Sequence, residues 1–142
     1  MVIRIPAFAG MTNWSLFHMN KKIIILYLLL LLFHVAHVFE EAWGRFWLMD
    51  QVFGLGRFLV INWLLFCIPV FIFYFLLQNK RTAVYLALIY SVIMILNGLV
   101  HNIATIATGK YFGGFAGGWT GILLILTGLP LAYMLWGIRK NV

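Results

Sequence analysis

The stretch Lys21-Lys22-Ile23-Ile24-Ile25-Leu26-Tyr27-Leu28-Leu29-Leu30-Leu31-Leu32-Phe33-His34-Val35-Ala36-His37-Val38-Phe39-Glu40-Glu41 decides what kind of protein this is. It opens on two lysines, stays apolar from Ile23 to Phe33 apart from the Tyr27 hydroxyl, and ends in two histidines and two glutamates. About 20 consecutive apolar residues cross a bilayer as a helix, and the run from Ile23 to Glu41 has that length. The whole chain of 142 residues has three acidic side chains, and two of them are here. Imidazoles and carboxylates are costly in hydrocarbon, so a group of them at the end of a membrane helix reads as a functional site.

Three further runs have the same character. Phe58 to Leu77 closes on Gln78-Asn79-Lys80-Arg81, Thr82 to His101 extends toward Thr108, and Trp119 to Ile138 closes on Arg139 and Lys140. Composition agrees: 65% of residues are hydrophobic, 9% are charged, and the mean hydropathy is +1.04. Soluble domains run at about 25% charged, so this chain has too few polar side chains to cover a globule in water. The expectation is an all-α membrane protein with four transmembrane helices, surrounded by the lipid bilayer.

The net charge of +7 carries topology rather than nucleic-acid binding. The basic residues stand singly or in pairs between apolar runs, where no nucleic-acid patch forms. Lys21, Lys22, Lys80, Arg81, Arg139 and Lys140 fall on one side of a four-span chain, and Arg45, Arg57 and Lys110 on the other. Cytoplasmic loops carry the excess of Lys and Arg, which places both termini in the cytoplasm and Glu40, Glu41 and Asp50 outside. A cleaved signal peptide fits poorly, because no small-x-small site follows the apolar core. The sole cysteine, Cys67, excludes an internal disulfide.

Residues 1–18 stand apart. Arg4-Ile5-Pro6-Ala7-Phe8-Ala9-Gly10-Met11-Thr12 resembles translated intergenic sequence found ahead of misassigned bacterial start codons, whereas Met19-Asn20-Lys21-Lys22 looks like a natural bacterial start. The expected organisation is a non-native or disordered extension over 1–18 and one four-helix domain over 19–142, in a bacterial cytoplasmic membrane. Of the outer connections, residues 42–57 carry Trp43, Phe46, Trp47 and Phe53, a density that suits an interfacial helix. Residues 109–118 are rich in glycine. Within the spans, Gly117 and Gly121, Gly128 and Ala132, and the series Ala83, Ala87 and Ser91 are spaced four apart, which lets membrane helices approach closely.

Successive helical residues turn by about 100°. His34, His37, Glu40 and Glu41 therefore share an arc of about 120° on the first span. Asn97, His101, Thr105 and Thr108 form a second polar stripe on the third span, next to Asn102. Counting about 20 residues outward from Lys22 and from Arg81 brings Glu41 and His101 to the same outer depth. Two polar stripes at one depth predict a shared pocket. In it, His37, Glu40, Glu41 and His101 are the candidate catalytic residues, supported by Asn97 and Asn102.

Two chemistries fit these residue types. His34, His37, Glu41 and His101 form a mixed nitrogen and oxygen set for a divalent metal, zinc or iron. Without a metal, a His–Glu pair can act as acid and base. No His-Glu-x-x-His occurs, so the zinc-protease pattern is absent. The function classes in play are an intramembrane enzyme acting on a lipid or other apolar substrate, a small proton or cation transporter or channel component, and a non-catalytic membrane subunit. Transport through so few spans would call for a homo-oligomer.

The segment His37-Val38-Phe39-Glu40-Glu41 resembles the motif that names the HXXEE family of small prokaryotic membrane proteins. Asn97-Gly98-Leu99-Val100-His101-Asn102 and the glycines after it are similar to that family's later polar segment. The resemblance spans roughly residues 22–138 and implies a four-span fold with the motif at the outer end of the first span. It identifies His37, Glu40 and Glu41 as motif positions and supplies no substrate.

Overall fold

A computed structural model describes residues 19–45, 52, 54–110 and 117–139. It contains four long helices: α1 (Lys21–Trp43), α2 (Gly54–Leu77), α3 (Arg81–Thr108) and α4 (Gly118–Ile138). All four are long and apolar enough to cross a membrane, and no strand occurs among the described residues. The helices exceed the expected spans by a few residues at most ends, because polar caps and turns lie outside the apolar run. The extension over 1–18 and most of the aromatic segment, including Phe46, Trp47 and Phe53, lie outside the described residues. So do Gly113 and Gly114.

The helix ends follow from local chemistry. Asn20 caps α1, its side chain accepting from the Lys22 amide at 2.9 Å. Between α2 and α3 the chain reverses within Gln78, Asn79 and Lys80. Asn79 takes a left-handed φ of 56°, the Lys80 amide donates to the Phe75 carbonyl, and the Asn79 amide donates to Leu76. That is the Schellman ending, with asparagine in the position usually given to glycine. The Asn79 side chain also accepts from the Met19 amide, and the Tyr85 hydroxyl donates to the Arg139 carbonyl. These bonds bring Lys21, Lys22, Lys80, Arg81 and Arg139 to one end of the bundle. Glu40 and Glu41 stand at the other.

One face of α1 changes chemistry along its length. Ile23, Tyr27 and Leu30 are fully buried, as is His37, and Glu41 nearly so. The first three join an apolar core with Ile72, Leu76, Ala87, Leu124 and Leu131. Tyr27 stacks on Phe73 with ring centroids 5.7 Å apart and donates to the Pro69 carbonyl. The basic end of the bundle is thus an ordinary hydrophobic core, and the same stripe becomes ionisable toward the opposite end. The remaining surface is apolar, with side chains such as Leu32, Ile61, Leu96 and Leu126 exposed. Contiguous apolar patches beyond a few hundred Å² are rare on soluble proteins, and this surface suits a membrane environment.

The closest helix pair is α3 with α4, and α1 packs chiefly along α4 rather than α3. Glycine makes the α3–α4 approach possible. A Cβ on Gly98 would collide with the Gly121 carbonyl oxygen, and one on Gly128 would lie 2.7 Å from Ile95. Ala83, Ala87 and Ser91 are fully buried, as the small-residue spacing predicts, but the tightest crossing is made by Gly98 with Gly121. Ala132 is only half-buried. Gly98→Ala must push α3 from α4 and is expected to cost about 1–3 kcal/mol. Gly56→Ala, whose added Cβ meets nothing within 4 Å, should cost nothing. Circular dichroism during unfolding in a denaturing detergent measures both, and equal stability of the two variants would contradict this packing.

Candidate functional site

Polar side chains within the helices sort into two kinds. The first kind bonds its own helix one turn back. Asn62 donates to Phe58, Ser91 to Ala87, Asn102 to Gly98, Thr108 to Ala104 and Thr127 to Leu123. Such bonds satisfy the group locally and join nothing. The second kind crosses between helices and gathers at the His/Glu end of α1.

Glu40 reaches from α1 to the N-terminus of α4. Its carboxylate accepts from the Thr120 amide at 2.9 Å, from the Trp119 amide at 3.4 Å and from the Thr120 hydroxyl. Gly117 is the N-cap of α4, which has no capping side chain of its own. The first amides of a helix lack partners within it, and its N-terminus carries a partial positive charge. Glu40 supplies both the acceptor and the negative charge from another helix. An acid is disfavoured at the end of its own helix, and here the start of α4 compensates it.

Glu41 turns the other way. Its Oε1 lies 2.9 Å from His101 Nε2 and 3.5 Å from His37 Nε2. The two imidazoles meet edge to face with centroids 4.7 Å apart. All three residues are more than nine-tenths buried. Each offers one ligand atom, and these atoms lie within 4.8 Å of one another. His37 Nδ1 faces the Thr120 hydroxyl oxygen at 2.9 Å. A continuous series of side chains thus runs Glu40, Thr120, His37, Glu41, His101, across α1, α3 and α4.

Gly117 closes the pocket on a second side. Its φ of 101° is left-handed, and a Cβ there would lie 2.7 Å from His37 Cε1 and 3.2 Å from His101 Nδ1. Only glycine meets both conditions.

The candidates named from sequence separate as follows. His37, Glu41 and His101 come together. Glu40 is committed to the start of α4. His34 does not join the group: its Nδ1 pairs with the Tyr90 hydroxyl at 2.9 Å and its ring packs edge-on to Phe66. Three residues along a helix displace it by about 4.5 Å from His37, to a level where α3 presents Tyr90. Asn97 is half-buried beside Gly98, which takes the inward position, and Asn102 lies against Gly121 with its amide bonded to its own helix. Thr105 is half-buried and Thr108 exposed. Sequence reasoning missed Thr120, and it named Gly117 for close helix packing rather than for its contact with the two imidazoles. The signal available for both was the Gly117-Gly118-Trp119-Thr120 entry into the last span, a helix start with no acidic or hydroxyl cap before it.

No family model matches the chain, and neither the curated proteins nor the solved structures contain a match.

Removing the Glu40 carboxylate leaves helix amides unpaired, at a cost of about 1–3 kcal/mol. Glu40→Ala should lower stability by that amount, and Glu40→Gln by less, because its amide oxygen still accepts. Unfolding in denaturing detergent distinguishes them, and a Glu40→Ala variant as stable as wild type would remove the capping role.

Proposed function

We propose that the chain is an intramembrane enzyme whose His37, Glu41 and His101 cluster acts on a lipid or other apolar substrate. The observation that carries this reading is a carboxylate held between two imidazoles, buried at one end of a bundle whose outside is apolar. Ionisable groups on a membrane helix are costly, and polar groups that only stabilise a fold can bond their own helix, as Ser91 and Thr127 do. A carboxylate between imidazoles can take up, pass on or neutralise positive charge. Its surroundings favour a substrate that arrives through the membrane.

The resemblance of His37 to Glu41 to the HXXEE motif supports membership of that prokaryotic family, and with it a bacterial cytoplasmic membrane. The charge distribution supports an outward-facing site, since five basic residues cluster at the end opposite the glutamates. On this reading Glu41 and His101 carry the chemistry, His37 works with them, and Glu40 holds α4 in place.

Cells expressing wild-type protein should show a change in membrane lipids that Glu41→Gln, expressed at the same level, does not produce. Lipid mass spectrometry reads this, and the same profile for both proteins counts against the enzyme. A reporter fused after Val142 should be cytoplasmic, and an external reporter would reverse the orientation.

A further inference from the structure

We propose that His37 Nε2, Glu41 Oε1 and His101 Nε2 bind one divalent transition-metal ion, and that Glu40, acting through Thr120, fixes His37 in the tautomer that binds it. The proposal concerns the same cluster as the enzymatic reading and rests on that reading only for the use to which the ion is put.

The tautomer follows from counting protons. The Thr120 hydroxyl has one hydrogen, and it donates that hydrogen to Glu40. Glu40 also accepts two backbone amides, as an ionised carboxylate does. If the hydroxyl pointed at His37 instead, its oxygen would press unprotonated against a carboxylate oxygen. The Thr120 oxygen therefore accepts from His37, and the proton of that bond sits on Nδ1. The neutral ring then carries a lone pair on Nε2.

That atom is the anomaly in the site. His37 is 1% exposed and its Nε2 makes no hydrogen bond. It faces Glu41 Oε1 at 3.5 Å, so two electron-rich atoms are buried against each other. A proton on Nε2 would relieve the repulsion, but the geometry of a hydrogen bond to Glu41 is not present, and the Glu41 oxygen is already engaged by His101 at 2.9 Å. A cation bound by both atoms removes the conflict. Metal-binding histidines commonly donate their other ring nitrogen to an oxygen that fixes their orientation, and Thr120 backed by Glu40 provides that oxygen.

The donor set selects the ion. Two imidazoles and a carboxylate match catalytic zinc sites, which use three protein ligands and keep a position for water or substrate. Bonds of about 2.1 Å in a tetrahedron place donor atoms ~3.4 Å apart, close to the 3.5 and 2.9 Å spacings around Glu41 Oε1. Binding replaces the His101–Glu41 hydrogen bond with two bonds to the ion, the His101 ring taking its other tautomer. Magnesium and calcium prefer oxygen donors in larger numbers, so zinc, cobalt and iron are favoured over them.

The full chain, purified in lipid nanodiscs and stripped with chelator, is titrated with Co²⁺ and then with Zn²⁺. One Co²⁺ per chain should bind with the visible bands of a four-coordinate ion, Zn²⁺ should displace it, and excess Mg²⁺ should not. Glu41→Gln should abolish the bands. Thr120→Val keeps the size and the backbone bonds to Glu40, and should weaken binding about ten- to hundredfold, while Thr120→Ser restores it. A rise in the wild-type melting temperature with Zn²⁺ tests binding without any variant. Wild-type protein of full helicity that gives no bands and no thermal shift overturns the site, and Thr120→Val with wild-type affinity overturns the role of Glu40 and Thr120. A bound ion with lipid profiles unaffected by Glu41→Gln would refute the enzyme and keep the metal. Lipid turnover by protein that binds no ion would do the reverse.

Discussion

The contact between Glu40 and the start of α4 is the constraint on which the rest of this end of the bundle depends. The first amides of a helix have no partner within it, so the first turn of α4 needs an acceptor from elsewhere in the protein. It finds one on α1, 79 and 80 residues away in sequence. That contact fixes the height of α4 against α1. Thr120 then meets His37, and the Gly117 backbone passes close to both imidazoles. A structural bond made by one glutamate thereby sets the geometry around its neighbour.

The second constraint is the close approach of α3 to α4. His101 comes from α3, which touches α1 only slightly. The α3 helix is brought to Glu41 by way of α4, through the glycine crossing at Gly98 and Gly121. The three-helix arrangement therefore has α4 as its centre, although α4 contributes no titratable group to the cluster. Its contributions are a hydroxyl, two amides and the absence of a side chain at Gly117.

The spans were legible because hydrocarbon demands long apolar runs, and a run of that length has few other interpretations. The pairing of His37 and Glu41 with His101 was legible for a related reason: ionisable groups at matched depth have few places to go except toward one another. His34 was harder to place. It shares the helical face of His37, and only the identity of the facing residue, Tyr90, separates their roles. Glu40 and Glu41 are adjacent and chemically alike, yet they face different helices, and nothing in their local sequence says which helix each will meet. Thr120 and Gly117 were invisible to a search for charged groups because their parts are played by a hydroxyl and a bare backbone.

The polar end of α1 has a temporal side. The helix that carries Glu40 precedes α2, α3 and α4 in the chain, and the helix whose amides satisfy Glu40 is α4, the last of these. Until α4 is made, Glu40 lacks the Trp119 and Thr120 groups that it pairs with, whereas His101 of α3 is already available to Glu41. A chain cut short before Gly117 therefore keeps the Glu40 carboxylate without its helix amides, a feature by which unfinished protein differs physically from finished protein.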